Sequence, residues 1–243
     1  KEDGTFVASA SVGHSPCAPV VSPDGRIVYV MNRFQNQVSF VDAATMKVVK
    51  TVKVLREPFA AGLGAGGKLL FVANMLPYCA ATNDVVAASV SVIDTAAGTV
   101  KKHILLPNGS TGVRGLGVSP DGKSVYVTHS MGRYQLPTTQ LERGWMNTAV
   151  CSVFDGTTGA AIGSFLLDDP LLGAANPWGV AVHAKWIAVA HAGTHEVSLI
   201  PRAAFFEKLA AYRGEASSDL GFMRSVGRVR IPLKGKGPRE VRF

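Results

Sequence analysis

One strand pattern recurs four times along the chain, and that recurrence limits what it can fold into. Ser22-Pro23-Asp24-Gly25 precedes RIVYVMN, and Ser119-Pro120-Asp121-Gly122 precedes KSVYVTH. GAGGKLLFVAN (64–74) and HAKWIAVAH (183–191) hold the same place in two further copies. Each copy then runs through a loop into VSFVD (38–42), VSVID (90–94), CSVFD (151–155) or VSLIP (197–201). A third apolar stretch follows: KVVKTVKV (47–54), TVKKHILL (99–106), AAIGSFLL (160–167) or GRVRIPL (227–233).

Each copy therefore reads as four short strands, a to d, which in the first copy fall near 17–22, 26–32, 37–42 and 47–54. The a–b turn S-P-D-G uses Pro to fix φ and Gly to supply the positive φ of a tight reversal. Strands b and c are nearly continuous Val, Ile, Tyr and Phe, as expected where both faces are covered. Four-stranded antiparallel units repeating at roughly 40–60 residues are the blades of a β-propeller. The composition agrees: 47% hydrophobic and 17% charged residues exclude a disordered chain, and 26 Gly with 13 Pro suit many tight turns. No apolar run approaches the roughly 18 residues of a membrane span.

SPDGRIVYVMN and SPDGKSVYVTH resemble the repeat of the YVTN-family β-propellers, which occur in bacterial and archaeal surface-layer, secreted and redox-associated proteins. The second copy keeps FVAN without S-P-D-G, and the fourth keeps the strand pattern alone. The resemblance implies an all-β propeller and a periplasmic, secreted or cell-surface location. Function does not follow, since propellers host binding, catalytic and scaffold roles alike.

The expected domain is a single propeller, or part of one, with blades near 13–54, 56–106, 111–167 and 174–233. Residues 5–12 read as an orphan strand d and residues 237–243 as an orphan strand a. The chain begins with Lys1 rather than Met, and an upstream segment is expected to have been removed. Four blades with two orphan strands leave apolar faces bare, so the expected state is an incomplete ring. A longer polypeptide or another chain would complete it.

Propeller topology puts the d–a connections and b–c loops on one face. The b–c loops 75–89 and 130–149 are long, and long loops in a compact domain carry function more often than short turns do. Alignment of the copies sets Cys17, Phe59, Arg114, Trp178 and Arg239 at the heads of strands a, nearest the channel. Asn32, Asn74, His129 and His191 end the strands b. With Arg33, Arg133, Trp145, His195 and His14 nearby, the face is rich in His, Arg and Trp. The binding candidates are Arg33, Arg114, His129, Arg133, Trp145, Trp178, His191 and His195. Two readings stand here. His129 and His191 could ligate a metal while Arg114 and Arg133 clamp an anion. Alternatively the motif Asn and its His replacement tie down the b–c loop by hydrogen bonds to backbone.

Cys17 and Cys79 fall on this face in adjacent blades and are expected to form a disulfide, which would imply an oxidising compartment. The other reading is two reduced, buried thiols. Cys151 reads as core. No C-x-x-C-H haem attachment sequence is present. RAAFFEKLAAYR (202–213) reads as a helix inserted between strands c and d of the fourth blade, on the face away from the long loops.

The formal charge of +8 is uneven: residues 201–243 hold ten of the 25 basic residues and four of the 17 acidic ones. Arg224, Arg228, Arg230, Lys234, Lys236, Arg239 and Arg242 are expected to form a solvated strand and turn facing an acidic protein partner. Without interleaved aromatics or a recognised module, nucleic acid is not the expected partner. Asp168 and Asp169 read as a solvated turn. No nucleophile elbow, zincin, P-loop or dinucleotide motif occurs in a fitting context. The leading expectation is a non-catalytic binding or scaffold propeller acting through the b–c loop face. The alternative is a propeller module of a redox protein, serving a metal, a quinone or a c-type haem carried by a separate domain. Lactonase-like hydrolysis is disfavoured, because the aligned channel ring offers Arg and Trp instead of acids.

Overall fold

The computed structural model describes residues 5–134, 146–213 and 216–243. Among these residues, sixteen strands form four antiparallel sheets of four, each in sequence order. Blade 1 holds β1 (Pro16–Val21), β2 (Ile27–Asn32), β3 (Gln37–Asp42) and β4 (Lys47–Lys53). Blade 2 holds β5 (Pro58–Leu63), β6 (Leu69–Asn74), β7 (Ser89–Asp94) and β8 (Thr99–Leu105). Blade 3 holds β9 (Ser110–Val118), β10 (Ser124–Gly132), β11 (Asn147–Asp155) and β12 (Ala161–Leu166). Blade 4 holds β13 (Pro177–Val182), β14 (Trp186–His191), β15 (Glu196–Pro201) and β16 (Val229–Pro232), with α1 (Arg202–Ala211) and α2 (Phe222–Val226) between its last two strands. This is the all-β propeller of four-stranded blades that the repeat implies.

The turns work as their residues dictate. Ser22 Oγ accepts the Ile27 N–H at 2.9 Å and donates to Asp24, while Gly25 N–H reaches the Ser22 carbonyl at φ 73°. Ser119, Asp121 and Gly122 repeat this arrangement. The acid closing strand c starts the c–d turn: Asp42, Asp94 and Asp155 each accept a backbone N–H three residues on, at 2.7–2.9 Å. Such side-chain acceptance fixes the reversal locally.

The d–a corners share a sharper device. Ser15, Glu57, Gly112 and Asn176 each sit two residues before a strand-a head, and all four have φ between 52° and 63°. Gly237 stands in the same relation to Arg239, at φ 61°. Residues 237–243 form no ladder, but Gly179 N–H donates to the Arg239 carbonyl at 3.0 Å, so the segment runs beside β13 where a following strand a would lie. Residues 5–12 form no strand at all, and Phe6 and Val7 are exposed.

The core lies between blades. Tyr29, Met31 and Phe40 of blade 1 meet Leu70, Val72 and Ile93 of blade 2. The opposite face of blade 2, Phe71, Ala73 and Val90, meets Val113, Val125 and Val127 of blade 3. Every residue of β6 is buried, which is why its sequence shows no alternation. Near the axis the chains come closer still: a Cβ on Gly115 would stand 2.0 Å from the Trp178 carbonyl oxygen. The outer strands are exposed and basic in β4 (Lys47, Lys50, Lys53) and β8 (Lys101, Lys102). Charge on an edge strand discourages pairing with another chain. Lys50 Nζ also donates to the Ala97 carbonyl of the next blade at 2.6 Å.

The insertion differs from expectation in its path. Arg202 pairs with Asp121 on the a–b turn side at 3.7 Å, yet Ala216 accepts the Leu166 N–H and Ser217 accepts from Arg133 near the other face. It therefore spans the flank between blades 3 and 4 instead of projecting from one face. Phe205 is fully buried, 4.6 Å from the Phe165 ring and 6.2 Å from Phe222. Phe205→Ala is expected to lower unfolding stability by about 3–5 kcal/mol, as read by urea denaturation. The neighbouring Lys208→Ala should leave it nearly unchanged.

Candidate functional site

The heads of the four strands a and the Arg239 segment enclose a cavity of about 580 Å³ on the axis. Cys17, Phe59, Arg114, Trp178 and Arg239 all line it, as their aligned positions implied, and Val20, Ala61, Leu116 and Val180 wall it further along. Phe59 meets Trp178 edge-on at 6.0 Å. The guanidinium carbons of Arg114 and Arg239 lie over the Trp178 ring at 5.3 and 4.9 Å, within cation–π range. The Trp178 Nε1 is buried without a hydrogen-bond partner.

The arginines here differ in how their charge is met. Arg33 donates twice to Glu57, at 3.0 and 2.8 Å, and stacks on Phe59 and Phe34. Arg114 has neutral partners, Asn176 Oδ1 at 3.1 Å and the Gly112 carbonyl at 3.4 Å. Burial, followed by the charges of Arg33 and Arg239, holds its pKa below the usual arginine value. Arg239 has no acidic partner among the described residues. Glu240 and Arg242, which also line the cavity, pair with each other at 3.6 Å.

Arg133 does not join this group. Its Nη2 donates to the Ser217 carbonyl of the insertion at 3.3 Å. Trp145 lies outside the described residues. His195 accepts the Gly237 N–H on Nδ1 at 3.0 Å, as Asn36 Oδ1 accepts the Glu57 N–H at 2.8 Å. His195 and Asn36 both have left-handed φ, at 57° and 54°, so they are the same corner device in different blades.

The metal expectation for His129 and His191 is corrected by their bonding. Both side chains are fully buried. His129 Nε2 lies 2.9 Å from Ser152 Oγ and Nδ1 3.4 Å from the Ser130 carbonyl. His191 Nε2 lies 2.9 Å from Ser198 Oγ and Nδ1 3.2 Å from the Ala174 carbonyl. With both ring nitrogens engaged, neither has a lone pair to offer a metal. No cluster of three metal-ligating side chains occurs among the described residues. Asn32 and Asn74 make the matching bonds to Ser39 at 2.7 Å and Ser91 at 2.9 Å. The motif Asn and its His replacement thus tie strand b to a buried serine on strand c. The signal was present in the repeat, since VSF, VSV, CSV and VSL carry that Ser in every copy.

The expected Cys17–Cys79 disulfide is absent: all three cysteines are free thiols. Cys17 Sγ lies 3.7 Å from the Pro58 and Phe59 carbonyls at the channel, whereas Cys79 Sγ faces the Val85 carbonyl of its own loop. A shared face is not the Cα separation of roughly 4.4–6.8 Å that a bridge requires. The basic C-terminal stretch is also partly internal. Arg228 is buried and pairs with Asp169, and Arg230 pairs with both Asp169 and Glu196. Asp168 is no solvated turn; it is buried and accepts the Ala149 and Ala174 N–H groups at 2.7 Å.

Burial depresses both histidine pKa values from the usual 6.5 to about 4. The unfolded chain therefore takes up these protons more readily than the folded one. Their contribution is complete above pH 6.5 and is lost as pH falls toward 4, on the order of 3 kcal/mol per histidine. A His129→Asn, His191→Asn double variant, copying blades 1 and 2, should show a shallower loss of stability over that window in denaturation curves taken from pH 7 to 4.

The architecture is shared with known β-propellers. No family model matches the chain. Among curated proteins, the hydrazine synthase subunit beta of Kuenenia stuttgartiensis is 29% identical over 163 residues, 63% of this chain and 41% of that protein. The chain thus spans about two fifths of the length of that relative. The solved structure of Kuenenia stuttgartiensis hydrazine synthase superposes with TM-score 0.64 at 24% identity, over all of this chain and 81% of that one. The U3-55K structure gives 0.63 at 7% identity over 94% of this chain and 55% of that one. The WD40 repeats of RRP9 give 0.61 at 9% identity over 96% and 58%. At these identities the superpositions speak to the fold.

Proposed function

We propose that the chain is a non-catalytic scaffold propeller that docks a protein partner through its b–c loop face, as a subunit or module of a larger assembly. The observation that carries this reading is the lacing of the two long loops into one surface. Asn108 Oδ1 accepts the Tyr134 hydroxyl at 2.7 Å and the Val86 N–H at 2.9 Å, and its Nδ2 donates to the Asp84 carbonyl at 3.2 Å. Loops from three blades there expose Phe34, Tyr78, Val85, Tyr134 and Met146. Aromatic and Met side chains on an ordered frame are the anchors protein interfaces favour.

The similarity to a protein named as the beta subunit of a synthase supports a role within a multi-chain enzyme. A haem or metal of such an assembly would be held by a partner chain, because His129 and His191 are engaged within the blades. A periplasmic, secreted or cell-surface location belongs to the same reading. It rests on the YVTN-like repeats, since three free thiols lend it no support. No described helix is long and apolar enough to cross a membrane.

The test is photo-cross-linking of the full-length protein in its native cells. Benzoylphenylalanine in place of Tyr78 and of Tyr134 is expected to cross-link one and the same partner polypeptide. The same group in place of Arg26, on the a–b turn face, should not. Cross-links from the Arg26 position alone would refute the assignment of the face.

A further inference from the structure

Part of the channel's positive charge meets no carboxylate among the described residues. Arg33, Arg202, Arg228 and Arg230 each face a carboxylate of this protein. Among the described residues Arg114 and Arg239 do not; they converge on one indole ring in the same cavity. The cavity's own acid, Glu240, is matched by Arg242 at the exposed end. Arg114 is half-buried and Arg239 exposed at the cavity mouth, and the repulsion between like charges that share one ring is relieved when an anion joins them.

We propose that the axial cavity is a binding site for a small organic oxyanion, a carboxylate or phosphate, gripped by Arg114 and Arg239 beside Trp178. Each guanidinium carries five N–H donors in a fixed fork, and only one nitrogen of Arg114, Nη1, is engaged by Asn176 and Gly112, so donors remain for a two-oxygen acceptor. Below the arginines, Val20, Ala61, Leu116 and Val180 form an apolar wall that suits the hydrocarbon part of such a ligand. The volume of about 580 Å³ lies within the range of small-molecule sites. This site is independent of whether the loop face docks a protein.

Isothermal titration at constant ionic strength, with inorganic phosphate, succinate and benzoate as probes and sodium chloride as reference, tests it. At least one oxyanion is expected to bind at sub-millimolar concentration, and the tighter arm separates phosphate from carboxylate chemistry. Arg114→Gln and Arg239→Gln should each weaken that probe by about tenfold or more, while Arg26→Gln on the opposite face binds as the parent does. Circular dichroism melting checks that each variant is folded. Arg114→Lys and Arg239→Lys, which keep the charge and lose the fork, replace any Gln variant that is not. Titration curves indistinguishable from chloride for all three probes would overturn the proposal, and so would undiminished binding in the folded Arg114 and Arg239 variants.

Discussion

Face-to-face packing of neighbouring sheets is the constraint on which the rest of this structure depends. The middle strands of blade 2 bury both faces, so Phe71 commits to blade 3 while Leu70 and Val72 commit to blade 1. A sheet held on both sides cannot tilt without opening a core, and this fixes where each strand-a head points. The close approach of Gly115 to the Trp178 backbone belongs to the same geometry. It brings Arg114 and Trp178, from different blades, to one cavity wall.

Polar order inside the blades follows from the same burial. A strand with no solvent on either face has to satisfy any polar side chain internally. Ser39, Ser91, Ser152 and Ser198 meet this need by pairing with the Asn or His that ends strand b. Asn donates its amide N–H to the serine at any pH, whereas His, its Nδ1–H given to a backbone carbonyl, accepts the serine hydroxyl on Nε2 and does so only while neutral. Blades 3 and 4 consequently carry an acid sensitivity at this bond that blades 1 and 2 lack.

Much of the fold was legible because its determinants are local and repeated. S-P-D-G turns, the Asp closing strand c and continuous Val/Ile/Tyr strands each act over a few residues, and the four copies reinforce one another. The channel heads were legible for the same reason, since register within a repeat fixes distance from the axis. What the sequence did not reveal depends on three-dimensional partners. Arg228 and Arg230 look like surface charge until the chain folds Asp169 and Glu196 against them. The face shared by Cys17 and Cys79 hid the fact that one sits at the axis and the other in an outer loop. The path of the 202–228 insertion is set by pockets on blade 3 that no local pattern describes.

The outer rim shows one more consequence. Strands β4 and β8 repel would-be partners with lysines, but β12 (AIGSFL) has no charge of its own. Instead Leu209 of α1 lies against Gly163, and the Ala216 carbonyl takes the Leu166 amide. The inserted helix thus acts as a guard rail for the strand least able to defend itself. Loss of that segment would leave a bare template for intermolecular strand addition, and such molecules would be lost to fibrous precipitates before any defect in ligand or partner recognition could be noticed.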